Sequence, residues 1–129
     1  MIEDERAPVV LVVDDFDDAR EMLCELLTDA GHQVVVAADG GEALALAREV
    51  LPRVVLLDLS LPVLSGWDVA RALKSNPATA SICIIACTAH VHAREHDLAL
   101  EAGCSRVLTK PIDTRLLLAV VAETLEKGL

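Results

Sequence analysis

Aromatic side chains are almost absent from this sequence, which has one Phe, one Trp and no Tyr among its 129 residues. The core must therefore be aliphatic, and hydrophobic residues make up 53% of the chain. This length is typical of a single domain and leaves no room for a second one. Cores built from Leu, Val, Ile and Ala are common in sheets that helices cover on both faces.

Basic residues are also scarce, with 11 Lys and Arg against 21 Asp and Glu, and the formal net charge is −10 at pH 7. Nucleic-acid phosphates are bound by clustered Lys and Arg, so we expect no direct contact with nucleic acid. Most of the acidic surplus is expected on a solvated surface, and part of it forms a negative site that attracts a cation.

The sequence lacks a long apolar run, because none reaches the roughly 20 residues that a membrane-spanning helix needs. Residues 1–7 are acidic and do not have the basic start and apolar middle of a signal peptide. We therefore expect a cytoplasmic protein that does not insert into a membrane.

The cysteines do not stand at the spacings of a metal site or of a disulfide framework. We interpret them as buried reduced thiols, as expected for a cytoplasmic chain. They are Cys24, Cys83, Cys87 and Cys104.

An uninterrupted apolar run, Val54 to Leu57, ends at Asp58. Four branched apolar residues without polar alternation favour a strand covered on both faces in a parallel sheet. In open α/β sheets, ligands bind outside the carboxyl ends of the strands, where Asp58 would lie. Taken alone, an acidic residue that ends a strand at the surface is at least as good an interpretation as a reactive group.

Other strand-like runs also end in polar residues, namely Asp14 and Asp15, Thr88, and Lys110. If these runs are parallel neighbours, three carboxylates, a hydroxyl and an ammonium group meet at one edge of the sheet. Their chemistry fits a site for an anionic phosphoryl group. Asp17 and Asp18 are instead interpreted as helix-start residues that cap amides and face the positive end of the helix dipole.

Alternating strand and helix patterns predict an α/β fold with a flavodoxin-like, doubly wound, five-stranded parallel sheet of strand order 2-1-3-4-5 and five helices. The predicted strands span about 8–13, 33–38, 54–57, 82–87 and 105–109. The predicted helices span about 14–30, 39–50, 66–74, 91–102 and 112–126. Residues 1–7 are expected to form an N-terminal tail, and residues 8–127 the domain.

Three carboxylates in one crevice repel one another unless a cation lies among them. Mg2+ prefers hard oxygen ligands, keeps several waters and typically uses one or two carboxylates together with phosphate oxygens. We therefore expect Asp15 and Asp58 as direct ligands of Mg2+ and Asp14 as a ligand through water.

The order of these residues resembles the receiver domain of bacterial response regulators in two-component signalling, including the chemotaxis regulators. The likeness runs from about Pro8 to the last helix. The segment after Asp58 is also similar to the receiver pattern Asp-x-x-Met-Pro-x-x-x-Gly, with Leu61 in place of Met. The polar residues that carry the resemblance are Asp14-Asp15, Asp58, Thr88 and Lys110-Pro111.

The resemblance implies that Asp58 accepts a phosphoryl group from a histidine kinase or a histidine phosphotransfer protein and later loses it by hydrolysis. It also implies that the Ser60 carbonyl is a further Mg2+ ligand and that Thr88 and Lys110 bind phosphoryl oxygens. Such a chain is no metabolic enzyme, although it catalyses its own aspartyl phosphorylation and dephosphorylation. The surface of helix four, strand five and helix five would then bind a downstream protein target. The Lys110-Pro111 peptide is expected to be cis.

Two features depart from the receiver pattern. Val107 stands three residues before Lys110, where receivers usually carry Tyr or Phe, so we expect the switch to use the loop after strand four and helix four. His90 borders the site in the resemblance and is a candidate for tuning phosphoryl hydrolysis. His92 and His96 lie one helical turn apart, but exposed helix histidines without further ligands are more often uninvolved.

Other classes stay open at this point. A flavin-binding flavodoxin shares the fold, but it needs a hydroxyl- and glycine-rich phosphate loop where residues 14–18 are acidic. A haloacid-dehalogenase-type phosphatase has a second Asp two residues after its nucleophile, where this chain has Ser60. A non-phosphorylated pseudo-receiver used for docking is disfavoured because every acidic site residue is present. Met1 and the short tail favour a free-standing regulator over a domain of a hybrid histidine kinase or larger regulator.

Overall fold

Five parallel strands alternate with five helices in the computed structural model, which describes residues 9–89 and 93–127. The strands are β1 Val9–Val13, β2 Gln33–Ala37, β3 Val54–Asp58, β4 Cys83–Thr88 and β5 Arg106–Thr109. The helices are α1 Asp17–Asp29, α2 Gly40–Val50, α3 Gly66–Ser75, α4 Ala93–Glu101 and α5 Thr114–Lys127. The sheet order is β2-β1-β3-β4-β5, so the predicted fold class is confirmed.

The central strand β3 is buried along its whole length, as its unbroken apolar sequence predicts. Its successive side chains enter two different cores. Leu57 packs with Val69 and other residues from the layer of α2, α3 and α4. Leu56 packs with Leu27 and Leu117 from the layer of α1 and α5. The sheet is therefore covered by helices on both faces, which makes it doubly wound.

Helix ends follow local sequence signals in two places. The side chain of Asp39 accepts a hydrogen bond from the amide of Glu42 at 2.8 Å, and Glu42 Oε1 accepts one from the amide of Ala38 at 2.6 Å. These bonds satisfy amides at the start of α2, as predicted. At the end of α1, Gly31 adopts φ +96, which permits the predicted helix stop.

The prediction that Asp17 and Asp18 cap α1 is wrong. The N-cap residue is Phe16, without a side-chain cap, and both aspartates lie in the first turn of the helix. The reason is that Asp14 Oδ1 accepts a hydrogen bond from the Phe16 amide at 2.9 Å, so the chain turns before Asp17 is reached. The two aspartates still face the positive end of the helix dipole.

Burial differs from the sequence prediction at two further positions, both of them cysteines. Cys87 and Cys104 are buried, whereas Cys24 and Cys83 are only half-buried. Cys83 is the first residue of β4, and the five residues of the strand that follow it are all buried.

Three parts of the sequence interpretation lie outside the described residues. They are the N-terminal tail 1–7, the histidines at positions 90 and 92, and the predicted start of helix four at 91. Among the helices that the structure describes, none is both long enough and apolar enough to cross a membrane.

Candidate functional site

The polar residues that end the strands in the sequence come together at the carboxyl edge of the sheet. Parallel pairing aligns the strand ends, since Asp58 is the register partner of Cys87, and Thr88 that of Thr109. The amide of Lys110 then donates to the carbonyl of Thr88 at 2.7 Å, which ties the chain after β5 to the end of β4. The edge therefore gathers side chains from four segments that are distant in sequence.

Three carboxylates form a cluster at this edge. Asp14, Asp15 and Asp58 each offer an oxygen atom, and these atoms all lie within 4.8 Å of one another. Asp14 and Asp58 are 3% and 4% exposed, whereas Asp15 is exposed. Carboxylate charges at this spacing repel one another by about 1 to 4 kcal/mol per pair, depending on the local dielectric. The cluster consists of hard oxygen donors, so it fits Mg2+ or a similar hard divalent cation.

Lys110 supplies a positive charge beside the two buried carboxylates. Its Nζ atom lies 3.4 Å from Asp58 Oδ2 and 3.6 Å from Asp14 Oδ2. Burial lowers the pKa of Lys110, but the neighbouring Asp58 and Asp14 carboxylates outweigh that effect and raise it above its ordinary value. The lysine therefore remains an ammonium ion at the cluster. The Lys110-Pro111 peptide is cis, as predicted.

Backbone amides fix the orientation of the same two carboxylates. Asp58 Oδ1 accepts a hydrogen bond from the Ser60 amide at 2.9 Å, and Asp14 Oδ1 accepts one from the Phe16 amide at 2.9 Å. In each case an amide two residues further along holds one oxygen, and the other oxygen faces Lys110. The proposed role of the Ser60 carbonyl as a metal ligand stays a prediction.

The loop after Asp58 closes tightly because residue 66 is glycine. A Cβ atom at Gly66 would lie 2.5 Å from the carbonyl oxygen of Asp58 and 2.6 Å from Leu59 Cα. Both are backbone atoms, which cannot move aside without displacing the strand end. Gly66 also donates from its amide to the Leu59 carbonyl at 3.3 Å. The glycine thus lets α3 begin directly against the strand end that carries Asp58.

Thr88 and Val107 occupy the side of the site nearest α4. Thr88 is 1% exposed at the end of β4. Val107 in β5 is partly buried against the core that α2, α3 and α4 cover, and its register partner is Ala86. His96 in α4 is half-buried. The role of His90 in tuning hydrolysis stays a prediction, because position 90 lies outside the described residues, as does position 92, one helical turn before His96.

An apolar cleft of about 340 Å³ opens beside the carboxylates, and sequence reasoning missed it. Phe16 and Met22 line it from the start of α1 and are 63% and 46% exposed, while Ile112 lines it from the chain before α5. These residues come from separate segments of the chain, and no periodic pattern in the sequence predicts that they line one cleft. Cys87 also lines the cleft, and burial is the main cause that raises the pKa of its thiol to about 12. At neutral pH this thiol is therefore protonated and is a poor nucleophile.

Arg20 is a second residue near the site that sequence reasoning missed. Its Nη1 atom donates to the Asp14 carbonyl oxygen at 2.9 Å, and its Nη2 atom donates to Asp17 Oδ1. The helical spacing of Asp17 and Arg20 signals the ion pair. No local pattern signals a bond that reaches back six residues.

Comparison with known proteins agrees with this arrangement. The family model of the response regulator receiver domain matches residues 10–122, so the chain belongs to the response regulator receiver family. The flavodoxin and haloacid-dehalogenase alternatives are thereby set aside. Receivers typically bind Mg2+ in an acidic pocket and interact with histidine kinases and downstream effectors.

Individual relatives differ in how much of their length this chain covers. It is 40% identical over 112 residues to the response regulator PleD of Caulobacter vibrioides, covering 87% of this chain but 25% of PleD. It is 35% identical over 112 residues to the protein PilH of Pseudomonas aeruginosa, covering 87% of this chain and 93% of PilH. The chemotaxis protein CheY4 of Vibrio cholerae is a structural neighbour with TM-score 0.87 and 29% identity, and the match covers 92% of this chain and 99% of that one.

Proposed function

We propose that this receiver domain is a phosphorylation-dependent switch in which Asp58 accepts a phosphoryl group from a histidine kinase or a histidine phosphotransfer protein. The observation that best supports this is the position of Asp58 Oδ2, which faces the Lys110 ammonium group at 3.4 Å. The same aspartate belongs to the cluster of three carboxylates. A carboxylate held between a cation-binding cluster and a lysine is suited to attack a phosphoryl group.

In the proposed reaction, a carboxylate oxygen of Asp58 forms a bond to phosphorus while the bond from phosphorus to the donor nitrogen breaks. The electron pair of that bond leaves with the donor imidazole, which takes up a proton. The Ser60 amide keeps the Asp58 carboxylate oriented through its bond to Oδ1. Water later attacks phosphorus, the bond from phosphorus to the Asp58 oxygen breaks, and inorganic phosphate leaves with the Asp58 carboxylate restored.

Asp14, Asp15 and Asp58, together with the Ser60 carbonyl, are proposed to hold Mg2+. The bound ion would supply positive charge that offsets the carboxylates and the oxygens of the incoming phosphoryl group. Lys110 already lies between Asp14 and Asp58, so its ammonium group is placed to pair with a phosphoryl oxygen on Asp58.

We propose that Thr88 reports the phosphoryl group to the surface formed by α4, β5 and α5. Its buried hydroxyl lies on a strand that ends beside Asp58, and the loop that follows leads into α4. Movement of Thr88 towards the phosphoryl group would change that loop and the affinity for a downstream protein.

The absence of an aromatic side chain at position 107 shapes this switch. Val107 is too small to rotate between two positions as a Tyr would, so the signal is proposed to pass through the loop after β4 and through α4. Val107→Tyr should therefore change partner affinity more than the rate of phosphorylation. Affinities that are the same in variant and parent, with and without phosphorylation, would contradict this route.

The domain is proposed to span residues 8–127, with residues 1–7 as a tail, and to act in the cytoplasm, where a histidine kinase would present its phosphohistidine. The chain spans about a quarter of the length of PleD, its first-named relative. Its partners are therefore proposed as classes of protein: a histidine kinase or histidine phosphotransfer protein as donor, and a downstream protein that binds the surface of α4, β5 and α5.

The direct test is incubation with Mg2+ and a small acyl phosphate, followed by intact-mass analysis. The parent should gain one phosphoryl group, and EDTA should abolish the gain because the incoming phosphate then meets three carboxylates with only Lys110 to offset them. Asp58→Asn should bind Mg2+ more weakly and gain no label at that position. Lys110→Ala should still bind Mg2+ but lose the response at the output surface.

Either of two results would contradict the proposed reaction. One is a parent without any Mg2+-dependent adduct, which would favour a docking module that is not phosphorylated. The other is an adduct that forms in full yield on Asp58→Asn.

A further inference from the structure

Arg20 in α1 holds the peptide group that joins two residues of the carboxylate cluster. Its Nη1 atom donates to the carbonyl oxygen of Asp14 at 2.9 Å. That carbonyl and the Asp15 amide form one planar peptide group. The hydrogen bond from Arg20 therefore restrains the orientation of this plane and, with it, the position of the Asp15 Cα atom that carries the side chain. The Arg20 side chain is only 18% exposed, so much of the guanidinium group and its stem is enclosed by the protein.

The second guanidinium nitrogen anchors Arg20 to its own helix. Nη2 donates to Asp17 Oδ1, one turn earlier in α1. The planar guanidinium group can make both bonds at once because its donors form a fixed fork. Arg20 thereby links the first turn of α1 to the loop that follows β1.

Asp15 needs such a restraint more than its neighbour Asp14 does. Asp14 is buried, and its amide donates to the Ala37 carbonyl at 3.2 Å while Oδ1 accepts from the Phe16 amide. Asp15 is exposed, so packing does not fix its side chain. The direction of its carboxylate depends on the backbone from which it extends.

We propose that Arg20 is a positioning residue for the metal site, which places the Asp15 carboxylate by holding the Asp14-Asp15 peptide group. This inference rests on the proposed function, in which Asp15 is a ligand of Mg2+. Arg20 would then have two effects of opposite sign on Mg2+ binding. Its positive charge weakens the binding of a cation, whereas its hydrogen bond to the Asp14 carbonyl orients the Asp15 carboxylate and strengthens that binding.

The test is the dissociation constant of Mg2+, measured by calorimetry on metal-free Arg20→Met. Methionine keeps an apolar stem but removes both hydrogen bonds and the charge. If positioning dominates, Mg2+ should bind about tenfold more weakly, as expected for the loss of one hydrogen bond to a charged group. If Arg20 acts only through its charge, Mg2+ should bind more tightly.

Arg71 offers a matched control. It pairs with Asp68 three residues earlier in α3, as Arg20 pairs with Asp17, but both partners are more than half exposed. Arg71→Met therefore loses the same charge and a similar ion pair. Its Mg2+ dissociation constant should stay within about twofold of the parent value, because an exposed pair contributes little.

Arg20→Lys keeps the charge but cannot reproduce the fork, so it should also weaken Mg2+ binding. If circular dichroism shows that Arg20→Met does not fold, the Mg2+ dissociation constant of Arg20→Lys tests the positioning role instead. Mg2+ binding at the parent affinity or tighter in a folded Arg20 variant would overturn the role of Arg20 alone. A parent that binds no Mg2+ would overturn the metal site itself.

Discussion

Replacing Asp58 with Asn should make the metal-free protein more stable, although it removes the proposed reactive group. Asn has nearly the same size as Asp, and its carbonyl oxygen can still accept the bond from the Ser60 amide. The change removes two repulsions, with Asp14 and Asp15, and one attraction, to Lys110. The sign of the stability change depends on which of these is larger.

The distances allow an order-of-magnitude answer. With carboxylate oxygens within 4.8 Å of one another, each repulsion is worth about 3.5 kcal/mol at an effective dielectric near 20 and about 0.9 kcal/mol in bulk water. The attraction to Lys110 at 3.4 Å is worth about 4.9 and about 1.2 kcal/mol at the same limits. Two repulsions outweigh one attraction, so the variant should gain about 0.5 to 2 kcal/mol.

Solvent reduces this gain towards the lower part of the range. Asp15 is exposed and Lys110 is 32% exposed, so water screens both of their interactions with Asp58. We expect an increase in the free energy of unfolding of about 1 kcal/mol, or about 4 °C in the melting temperature.

Mg2+ should reverse the order of stability. A ligand that binds only the folded state stabilises it by about 2.7 kcal/mol at a concentration one hundred times its dissociation constant. The parent should gain this amount, while Asp58→Asn has lost one carboxylate of the site and should gain much less. In saturating Mg2+ the parent is therefore expected to be the more stable protein.

Urea denaturation followed by the fluorescence of Trp67 measures both effects, once in EDTA and once in Mg2+. Asp29→Asn is the control, because Asp29 ends α1 on the exposed surface, away from the carboxyl edge. It should respond to Mg2+ as the parent does. An Asp58→Asn variant that is less stable than the parent in EDTA would refute the electrostatic reasoning. An equal Mg2+ gain in both proteins would refute the site.

Three further outcomes follow from other contacts. Gly66→Ala should destabilise the fold by about 1 to 3 kcal/mol in urea denaturation, since its Cβ would meet backbone atoms at 2.5 and 2.6 Å. Gly41→Ala, with its nearest neighbour at 3.5 Å, should be neutral or stabilising; equal losses would contradict the clash. Cys87 and Cys104, whose pKa values burial raises to about 12 and about 11, should react with a thiol reagent at pH 8 only after denaturation. Fast labelling of all four thiols in the native protein would be inconsistent with this. Lys110 has a folded pKa above its unfolded value of 10.5, so it stabilises below that pH and the contribution disappears as pH rises through the folded pKa. The stability difference between the parent and Lys110→Met should shrink above about pH 10.5, and a constant difference would count against it.

Strand order and the meeting of polar strand ends were predictable because each rests on a strong local signal. Four apolar residues before Asp58 require a doubly covered strand, and parallel strands place their carboxyl ends together. The side-chain contacts within the site were less predictable. The Phe16 amide donates to the Asp14 side chain, and α1 begins without the cap expected from Asp17 and Asp18. This contact depends on the geometry of the loop rather than on residue type. Arg20 reaches the Asp14 carbonyl only because α1 folds back beside the sheet.

The position of β5 at one end of the sheet has a consequence for how the site opens. Asp14 and Asp15 follow β1 and Asp58 ends β3, which are inner strands, whereas Lys110 follows a four-residue edge strand that pairs with β4 alone. Edge elements of a protein often unfold locally without global unfolding. Fraying of β5 and α5 would remove the ammonium group while the three acids stay in place. Amide hydrogen exchange should then show faster exchange in β5 than in β3, with Lys110 and the acids in separate cooperative units.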